Sequence, residues 1–134
     1  MPVSATKTIQ IGRSAAESFR FVADPATMPQ WAVHNVTAIR DLGDGRWEME
    51  TPRGKGMLIP HYDAATGIVD HEFIDANEGA WQVTGRVVPV GSTESVYIIT
   101  LPKPEGLPAE AFDAGMRLME EELATLKRCI EALP

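Results

Sequence analysis

Two histidines near the middle of the sequence are its clearest candidates for acid–base chemistry. His61 and His71 lie on neighbouring predicted strands, joined by a short turn that ends at Gly67. If Asp63 pairs with Gly67, both imidazoles lie on one face of the sheet, roughly 7–8 Å apart, where they could accept and donate protons. A slip of one residue would place them on opposite faces. No third ligand has the spacing of a metal site, so we expect no metal.

A glutamate and a glycine are unusual at the edge of the apolar face of the last predicted helix. Desolvation would raise the pKa of Glu122 into a range useful for acid–base work, unless its head reaches water or pairs with an arginine. Gly115 destabilises a helix by about 1 kcal/mol relative to alanine, so it makes room for a ligand or for a closely approaching strand. Tyr97 is a further candidate for proton transfer, behind His61, His71 and Glu122.

A long amphipathic helix, predicted at residues 108–133, must position Gly115 and Glu122. Its apolar residues recur at alternating spacings of four and three, which keeps them on one face. They are Phe112, Met116, Met119, Leu123, Leu126, Ile130 and Leu133. Charged residues occupy the opposite face. At ~1.5 Å per residue the helix can cross a small domain, so its apolar stripe needs a broad apolar surface to cover.

The preceding residues predict that surface as an antiparallel sheet. Residues 3–11 form a first strand, Ser14 and Glu17 form a capping box for a short helix, and Asp24 with Pro25 begins a second short helix. Turns, including one at residues 77–79, then separate six strands, predicted at residues 33–42, 46–51, 57–62, 68–74, 80–88 and 94–101. The fold class is therefore α+β, with a curved seven-stranded antiparallel sheet wrapped around the long C-terminal helix and two short helices after strand 1.

Length and composition exclude several classes of function. The 134 residues, 44% hydrophobic and 23% charged, are typical of one globular domain spanning residues 1–134. The formal charge of −7 offers no basic surface for nucleic acid, and no apolar run is long enough to span a membrane. The single cysteine, Cys129, forms no disulfide within the chain and suits a reducing compartment. We expect a cytoplasmic protein without integral membrane association and without a cofactor.

The stretch ADPATMPQW at residues 23–31 is the most specific sequence signal. Together with the order of elements and the apolar closing helix, it resembles the START-like, or SRPBCC, superfamily, nearest the polyketide cyclase/dehydrase branch. The resemblance covers essentially the whole chain. It implies a helix-grip fold whose cavity, between sheet and long helix, different members use for lipids, sterols, polyketides, quinones or aromatic hormones. Asp24, Pro25 and Trp31 match fold-defining positions of the superfamily, which carry no catalytic role.

The implied cavity predicts a set of lining residues and three alternative functions. The expected lining residues are Trp31, Met57, Ile59, His61, His71, Phe73, Trp81, Phe112, Gly115, Met119 and Glu122. The leading interpretation is a module that binds a hydrophobic or amphipathic small molecule of the lipid, polyketide or aromatic class. The second is a polyketide cyclase/dehydratase-type enzyme that uses the same cavity, and the third is a scaffold protein whose cavity is filled by side chains. A homodimer is left open.

Overall fold

The computed structural model describes residues 4–75 and 79–134. The first residue of predicted strand 1 and most of the predicted turn at residues 77–79 therefore lie outside the described residues. The elements, in chain order, are β1 Ser4–Ile11, α1 Ala15–Val22, a 3-10 turn Pro25–Thr27, α2 Met28–Trp31, β2 Ala38–Asp41, β3 Trp47–Thr51, β4 Gly54–Asp63, β5 Ile68–Asp75, β6 Gly79–Val90, β7 Glu94–Pro102 and α3 Ala109–Glu131.

The seven strands in the described ranges form one antiparallel sheet, in the order β1-β7-β6-β5-β4-β3-β2. Consecutive strands from β2 to β7 pair with each other, and β1 pairs with β7. The long helix α3 lies against β1, and the two short helices α1 and α2 lie against α3. The predicted α+β helix-grip fold is confirmed.

Helix α1 and the 3-10 turn that precedes α2 begin at the residues that the sequence indicates. Ser14 and Glu17 form the predicted capping box, in which the Glu17 backbone N–H donates to Ser14 Oγ at 3.2 Å and the Ser14 N–H donates to Glu17 Oε1 at 3.4 Å. Asp24 accepts a hydrogen bond from the Ala26 N–H at 3.1 Å, and Pro25 opens the following turn. The chain therefore bends between α1 and α2 and places Trp31 in the core.

Helix α3 is fixed to the sheet by its C-terminal half. Leu123, Leu126 and Ile130 are buried in the core, as the spacing of the apolar residues predicts. The Lys127 Nζ donates to a carbonyl of β1 at 2.7 Å, and Glu131 accepts from a backbone N–H just after β1 at 2.6 Å. Because these contacts hold the far half of the helix, the half that begins at Ala109 can stand away from the sheet and leave space beneath it.

The predicted strand at residues 33–42 is shorter than expected. The strand covers Ala38–Asp41 only, because residues 33–35 form a turn instead. In that turn the N–H groups of Asn35 and Val36 both donate to the Ala32 carbonyl, at 3.0 and 2.8 Å. The turn brings residues 34 and 35 next to α3.

The predicted register of the β4–β5 hairpin is wrong by one residue. Asp63 pairs with Ile68 instead of Gly67. Gly67 lies within the turn, at a φ of 78° that favours glycine, and its N–H donates to the Asp63 carbonyl at 2.9 Å. Because a slip of one residue reverses the face of every side chain, His61 and His71 lie on opposite faces of the sheet.

Candidate functional site

A cavity of about 690 Å³ lies between the inner face of the sheet and the helices. The N-terminal half of α3, helix α2 with the turn after it, strands β3 to β7 and the segment 104–107 form its wall. It lies beneath the N-terminal half of α3, whereas the hydrogen bonds from Lys127 and Glu131 hold the C-terminal half against β1. Its position matches the position that the family resemblance implies.

Eight of the eleven predicted lining residues lie at this wall: Trp31, His71, Phe73, Trp81, Phe112, Gly115, Met119 and Glu122. The placement of the other three, Met57, Ile59 and His61, in the cavity is wrong. They alternate along β4 with the buried Leu58 and lie on the outer face, because of the slipped hairpin register. The His61 side chain is 53% exposed, and its Nε2 lies 3.2 Å from a carboxylate oxygen of Glu72. That the eight residues bind a ligand stays a prediction.

Gly115 faces open space. A Cβ built at this position would meet no atom within 4 Å, apart from the backbone of its own helix turn. The alternative explanation, a strand that approaches too closely for a side chain, therefore does not hold at Gly115. By contrast, a Cβ at Gly85 would lie 2.7 Å from the Val69 carbonyl oxygen, which is the geometry that a close approach produces. The missing side chain at position 115 enlarges the cavity.

Glu122 is completely buried and connects α3 to the turn after α2. Its carboxylate accepts hydrogen bonds from the His34 backbone N–H at 2.9 Å and from the Asn35 side-chain amide at 3.0 and 3.2 Å. Burial raises the pKa of Glu122, and these donors act in the opposite direction. The net direction is a raised pKa, and among the described residues the partners of the carboxylate are the His34 N–H and the Asn35 amide rather than an arginine.

A row of four aromatic rings runs across the sheet, and three of them, His71, Phe73 and Trp81, line the cavity. His71 lies between Tyr62, at a ring-centroid distance of 5.3 Å, and Phe73, at 5.6 Å. Phe73 in turn stacks on Trp81 at 5.9 Å. Cross-strand pairing of β4, β5 and β6 positions these four rings side by side. The row is longer than the sequence predicted, since Tyr62 was not expected to take part.

His71 is neutral at pH 7. It is 3% exposed, and burial lowers its pKa to about 4. Its Nε2 has no hydrogen-bond partner among the described residues, and the same holds for the indole Nε1 of Trp31. Both side chains line the cavity. The two nitrogens themselves are buried, so they face protein atoms rather than the cavity.

Tyr97 lies behind the cavity wall rather than in it. The side chain is fully buried in the core, and burial raises the pKa of its phenol. Its hydroxyl packs closely over Gly85, where a Cβ would come within 3.0 Å of it. Of the four candidates for proton transfer, His71 and Glu122 reach the cavity, whereas Tyr97 and His61 do not.

Several lining residues were not predicted. Met49 on β3 and Val83 on β6 lie on the inner face of the sheet, and the alternation of apolar and polar residues along these strands could have identified them. Asn35 also lies at the wall. No local signal points to Asn35, because its role depends on the turn that replaces the first half of the predicted strand.

Comparison of the sequence with known proteins finds no relative, whereas comparison of the structure finds proteins of the same fold. No family model matches the sequence, and no curated protein matches it significantly. A START superfamily protein from Mycobacterium smegmatis is 17% identical with a TM-score of 0.73, over 98% of this chain and 99% of that one. The di-domain ARO/CYC protein BexL is 20% identical with a TM-score of 0.77, over 98% of this chain and 47% of that one. An aromatase/cyclase from Streptomyces is 11% identical with a TM-score of 0.70, over 96% and 90%.

The fold and the internal cavity define a helix-grip protein. More particularly, the chain has the START-like fold that the stretch at residues 23–31 indicates, and an aromatase/cyclase and a di-domain ARO/CYC protein are among its structural neighbours. At these identities the likeness establishes the fold alone. Among the described residues, no helix is long and apolar enough to cross a membrane, and no three histidine, cysteine or acidic side chains form a group that could hold a metal ion.

Proposed function

We propose that the protein binds a hydrophobic or amphipathic small molecule in the cavity between the sheet and α3. The observation that carries this proposal is Gly115, a helical glycine that faces open space at the cavity wall. A residue that destabilises a helix and packs against nothing has no structural role, but it leaves room for a ligand. The third interpretation, a filled cavity, would require side chains in that space.

The size and the lining of the cavity support the same proposal. Small-molecule sites are typically concave spaces of roughly 300–1,000 Å³, with mostly apolar walls and a few polar groups. The cavity here is about 690 Å³, and methionine, aromatic and aliphatic side chains line it together with a few polar groups, among them the buried carboxylate of Glu122. The lipid, polyketide or aromatic class of ligand stays a proposal.

A titration with Nile red, an uncharged dye whose emission depends on its surroundings, tests the proposal. We expect saturable binding of one dye molecule per chain. The variant Gly115→Trp places an indole in the cavity and should weaken binding by at least about tenfold, equivalent to about 1.4 kcal/mol. The matched control is Ala114→Trp, which adds the same side chain at an exposed position one residue away and should bind like the wild type.

Two results would contradict the proposal. Failure of the wild type to bind the dye would favour the scaffold interpretation. Unchanged affinity in Gly115→Trp, or an equal loss of binding in Gly115→Trp and Ala114→Trp, would contradict binding in the space beside Gly115. Melting temperatures of all three proteins show whether the variants are folded, so that loss of binding is not confused with loss of structure.

The alternative enzymatic function uses the same cavity. His71 is its candidate base, because burial keeps the imidazole at the wall unprotonated at pH 7, and its pKa of about 4 makes it a weak one. A simple diketone probe is 2,6-heptanedione, whose aldol ring closure followed by loss of one water gives an enone that absorbs in the ultraviolet. Faster enone formation with the wild type than with His71→Phe would support catalysis. Equal rates would leave the binding function alone.

A further inference from the structure

We propose that ligands enter and leave the cavity between the turn at residues 33–35 and α3, and that the buried carboxylate of Glu122 is the latch that holds this turn closed. The inference rests on the proposed binding function and adds a route for the ligand and a control of that route. The turn is then a gate. The rates of ligand entry and exit depend on the protonation of one side chain, whereas the affinity stays nearly constant.

The gate is a short segment between two fixed points. Before it, Ala32 is buried in the core, and after it the Thr37 N–H donates to a carbonyl of β3 at 2.9 Å. Val36 is buried as well, so the part that can move is residues 33–35. Asn35 in this turn lines the cavity. Outward movement of the turn would therefore open the cavity wall at this place.

Glu122 provides the polar bonds between the gate and α3. Its carboxylate accepts from the His34 N–H at 2.9 Å and from the Asn35 amide at 3.0 and 3.2 Å. At the surface, His34 Nε2 lies 3.2 Å from a carboxylate oxygen of Glu121, and exposed pairs of this kind contribute little. Within the described part of the chain, no other side-chain hydrogen bond or ion pair joins residues 33–35 to α3. Glu122 is thus the main fastening of the turn.

The closed gate also keeps Glu122 away from water. The side chain is completely buried with the turn in place, whereas an open turn would leave the carboxylate in contact with solvent. Water stabilises the ionised form of a carboxyl group, and burial stabilises the protonated form. At a pH between the ordinary pKa of 4.5 and the raised pKa of the closed state, opening therefore releases a proton from Glu122. An increase in pH through this range favours the open gate.

The other charges near Glu122 act in the same direction or are engaged elsewhere. On the turn, His34 attracts Glu121 by charge only when its imidazole is protonated, so loss of this proton at higher pH also loosens the turn. Helix α2 contains no charged residue. The charged side chains of the other two elements that pack against α3 are Lys7 on β1, which pairs with Glu120, and Glu17 and Arg20 on α1, of which Glu17 pairs with Arg13.

Exposed apolar side chains mark the outer side of the gate. Among the described residues, the large exposed apolar side chains are Val33, Val90 and Leu118. Val33 lies in the turn, and Leu118 lies one helical turn before Glu122 on the same face of α3. They are 45% and 41% exposed. An apolar ligand would therefore meet apolar side chains on both sides of the gate before it passed the latch.

The experiment measures the entry and exit of Nile red by stopped-flow fluorescence at several protein concentrations between pH 5 and pH 8. The dye is uncharged throughout this range. The slope of the observed rate against protein concentration gives the association rate constant, and the intercept gives the dissociation rate constant. We expect both constants to increase about threefold or more from pH 5 to pH 8 at a nearly constant ratio, because both are proportional to the population of the open gate.

Four variants assign the effect to the latch and to the route. Glu122→Gln keeps the shape of the latch and has no proton to release, so most of the pH dependence should disappear. Glu120→Gln, the same substitution at an exposed acid two residues away, is the matched control and should behave like the wild type. Leu118→Ser should lower the association rate constant, whereas Val90→Ser, at an exposed site on β6, should not. Melting temperatures of the variants verify folding.

A second measurement needs no ligand. Hydrogen exchange of the His34 backbone amide reports the opening of its bond to Glu122. The protection factor corrects for the intrinsic pH dependence of exchange. It should decrease from pH 5 to pH 8 in the wild type and stay nearly constant in Glu122→Gln.

The outcomes separate the gate from the proposed function. If Nile red binds and its rates are independent of pH, or change with pH equally in Glu122→Gln, the latch is refuted and the binding function stands. An association rate constant that is unchanged in Leu118→Ser refutes the route. If the dye does not bind the wild type, the binding function fails and the route fails with it, and a His34 protection factor that is independent of pH then refutes the latch as well.

Discussion

Replacement of Glu122 by glutamine removes a buried negative charge and keeps the shape of the side chain. The carboxylate accepts from the His34 N–H at 2.9 Å and from the Asn35 amide at 3.0 and 3.2 Å. A glutamine can keep both contacts if the Asn35 amide turns over, since its oxygen then accepts from His34 and its nitrogen donates to the Asn35 oxygen. We expect Glu122→Gln to unfold with a free energy within about 1 kcal/mol of the wild-type value near pH 7.

Glu122→Ala should be much less stable than Glu122→Gln. The His34 N–H and the Asn35 amide would lose their acceptor in a half-buried site, which costs about 1 kcal/mol each, and the lost packing of the side chain adds to this. The sum is a loss of about 2–3 kcal/mol. For a domain of this size it corresponds to a decrease in melting temperature of roughly 10 °C.

The pH dependence tests the electrostatic part of this reasoning. Burial raises the pKa of Glu122 above its ordinary value of 4.5. At a pH between 4.5 and the raised pKa, the folded state holds a proton on Glu122 that the unfolded state releases. Acidification therefore stabilises the folded state through this group, and this stabilisation is lost as the pH rises through the folded pKa. The free energy of unfolding of the wild type, relative to Glu122→Gln, should therefore increase as the pH falls from 7 through the folded pKa. The gain is about 1.4 kcal/mol for each unit by which the pKa is raised, and it is complete only below the ordinary value of 4.5.

The assay is urea denaturation followed by tryptophan fluorescence at several pH values. Low protein concentration is needed at the acidic end, because the sequence pI is near 4.9. Titrating groups that both proteins share cancel in the difference. A difference that is independent of pH, or that decreases on acidification, would refute the account of Glu122. An alanine variant as stable as the glutamine variant would refute the role of the two donors.

Three further substitutions test separate parts of the structure. Gly115→Ala should raise the free energy of unfolding by about 1 kcal/mol, because alanine favours the helix more than glycine does and the new methyl group meets no atom. A lower free energy of unfolding, measured by urea denaturation, would contradict the open space at this position. Gly85→Ala should lower it by about 2 kcal/mol in the same assay, because its Cβ would lie 2.7 Å from a carbonyl oxygen, and unchanged stability would contradict that close approach. His61→Ala should change neither the affinity for the dye nor the free energy of unfolding by more than about 1 kcal/mol, because the exposed ion pair with Glu72 contributes little. Loss of dye binding in this variant would place His61 in the site.

The parts of the fold that depend on local patterns could be predicted from the sequence. The spacing of Leu123, Leu126 and Ile130 identifies the buried face of α3, and the capping residues Ser14 and Asp24 identify the starts of the helical segments. These signals are local, because each depends on residues within one or two helical turns. The same helical spacing places Gly115 at the edge of the apolar face of α3, where the missing side chain leaves space in the cavity.

The parts of the site that depend on long-range geometry could not be predicted. The side of the sheet on which His61 and His71 lie depends on a single residue of register, and Gly67 fixes this register through a contact with β6 that the turn sequence does not reveal. The donors to Glu122 come from a turn that is far away in sequence. Periodicity shows that a glutamate is buried, but it does not show which group pairs with it.

The methionine methyl groups offer the most direct test of a ligand in the cavity. Met28, Met49, Met116 and Met119 line it, whereas Met57 lies on the outer face of the sheet. Nuclear magnetic resonance spectra of the protein with carbon-13-labelled methionine methyl groups should show that Nile red shifts the signals of the four lining residues and leaves Met57 unchanged. Perturbation of Met57 with the four lining methyl groups unaffected, at saturating Nile red, would contradict binding between the sheet and α3.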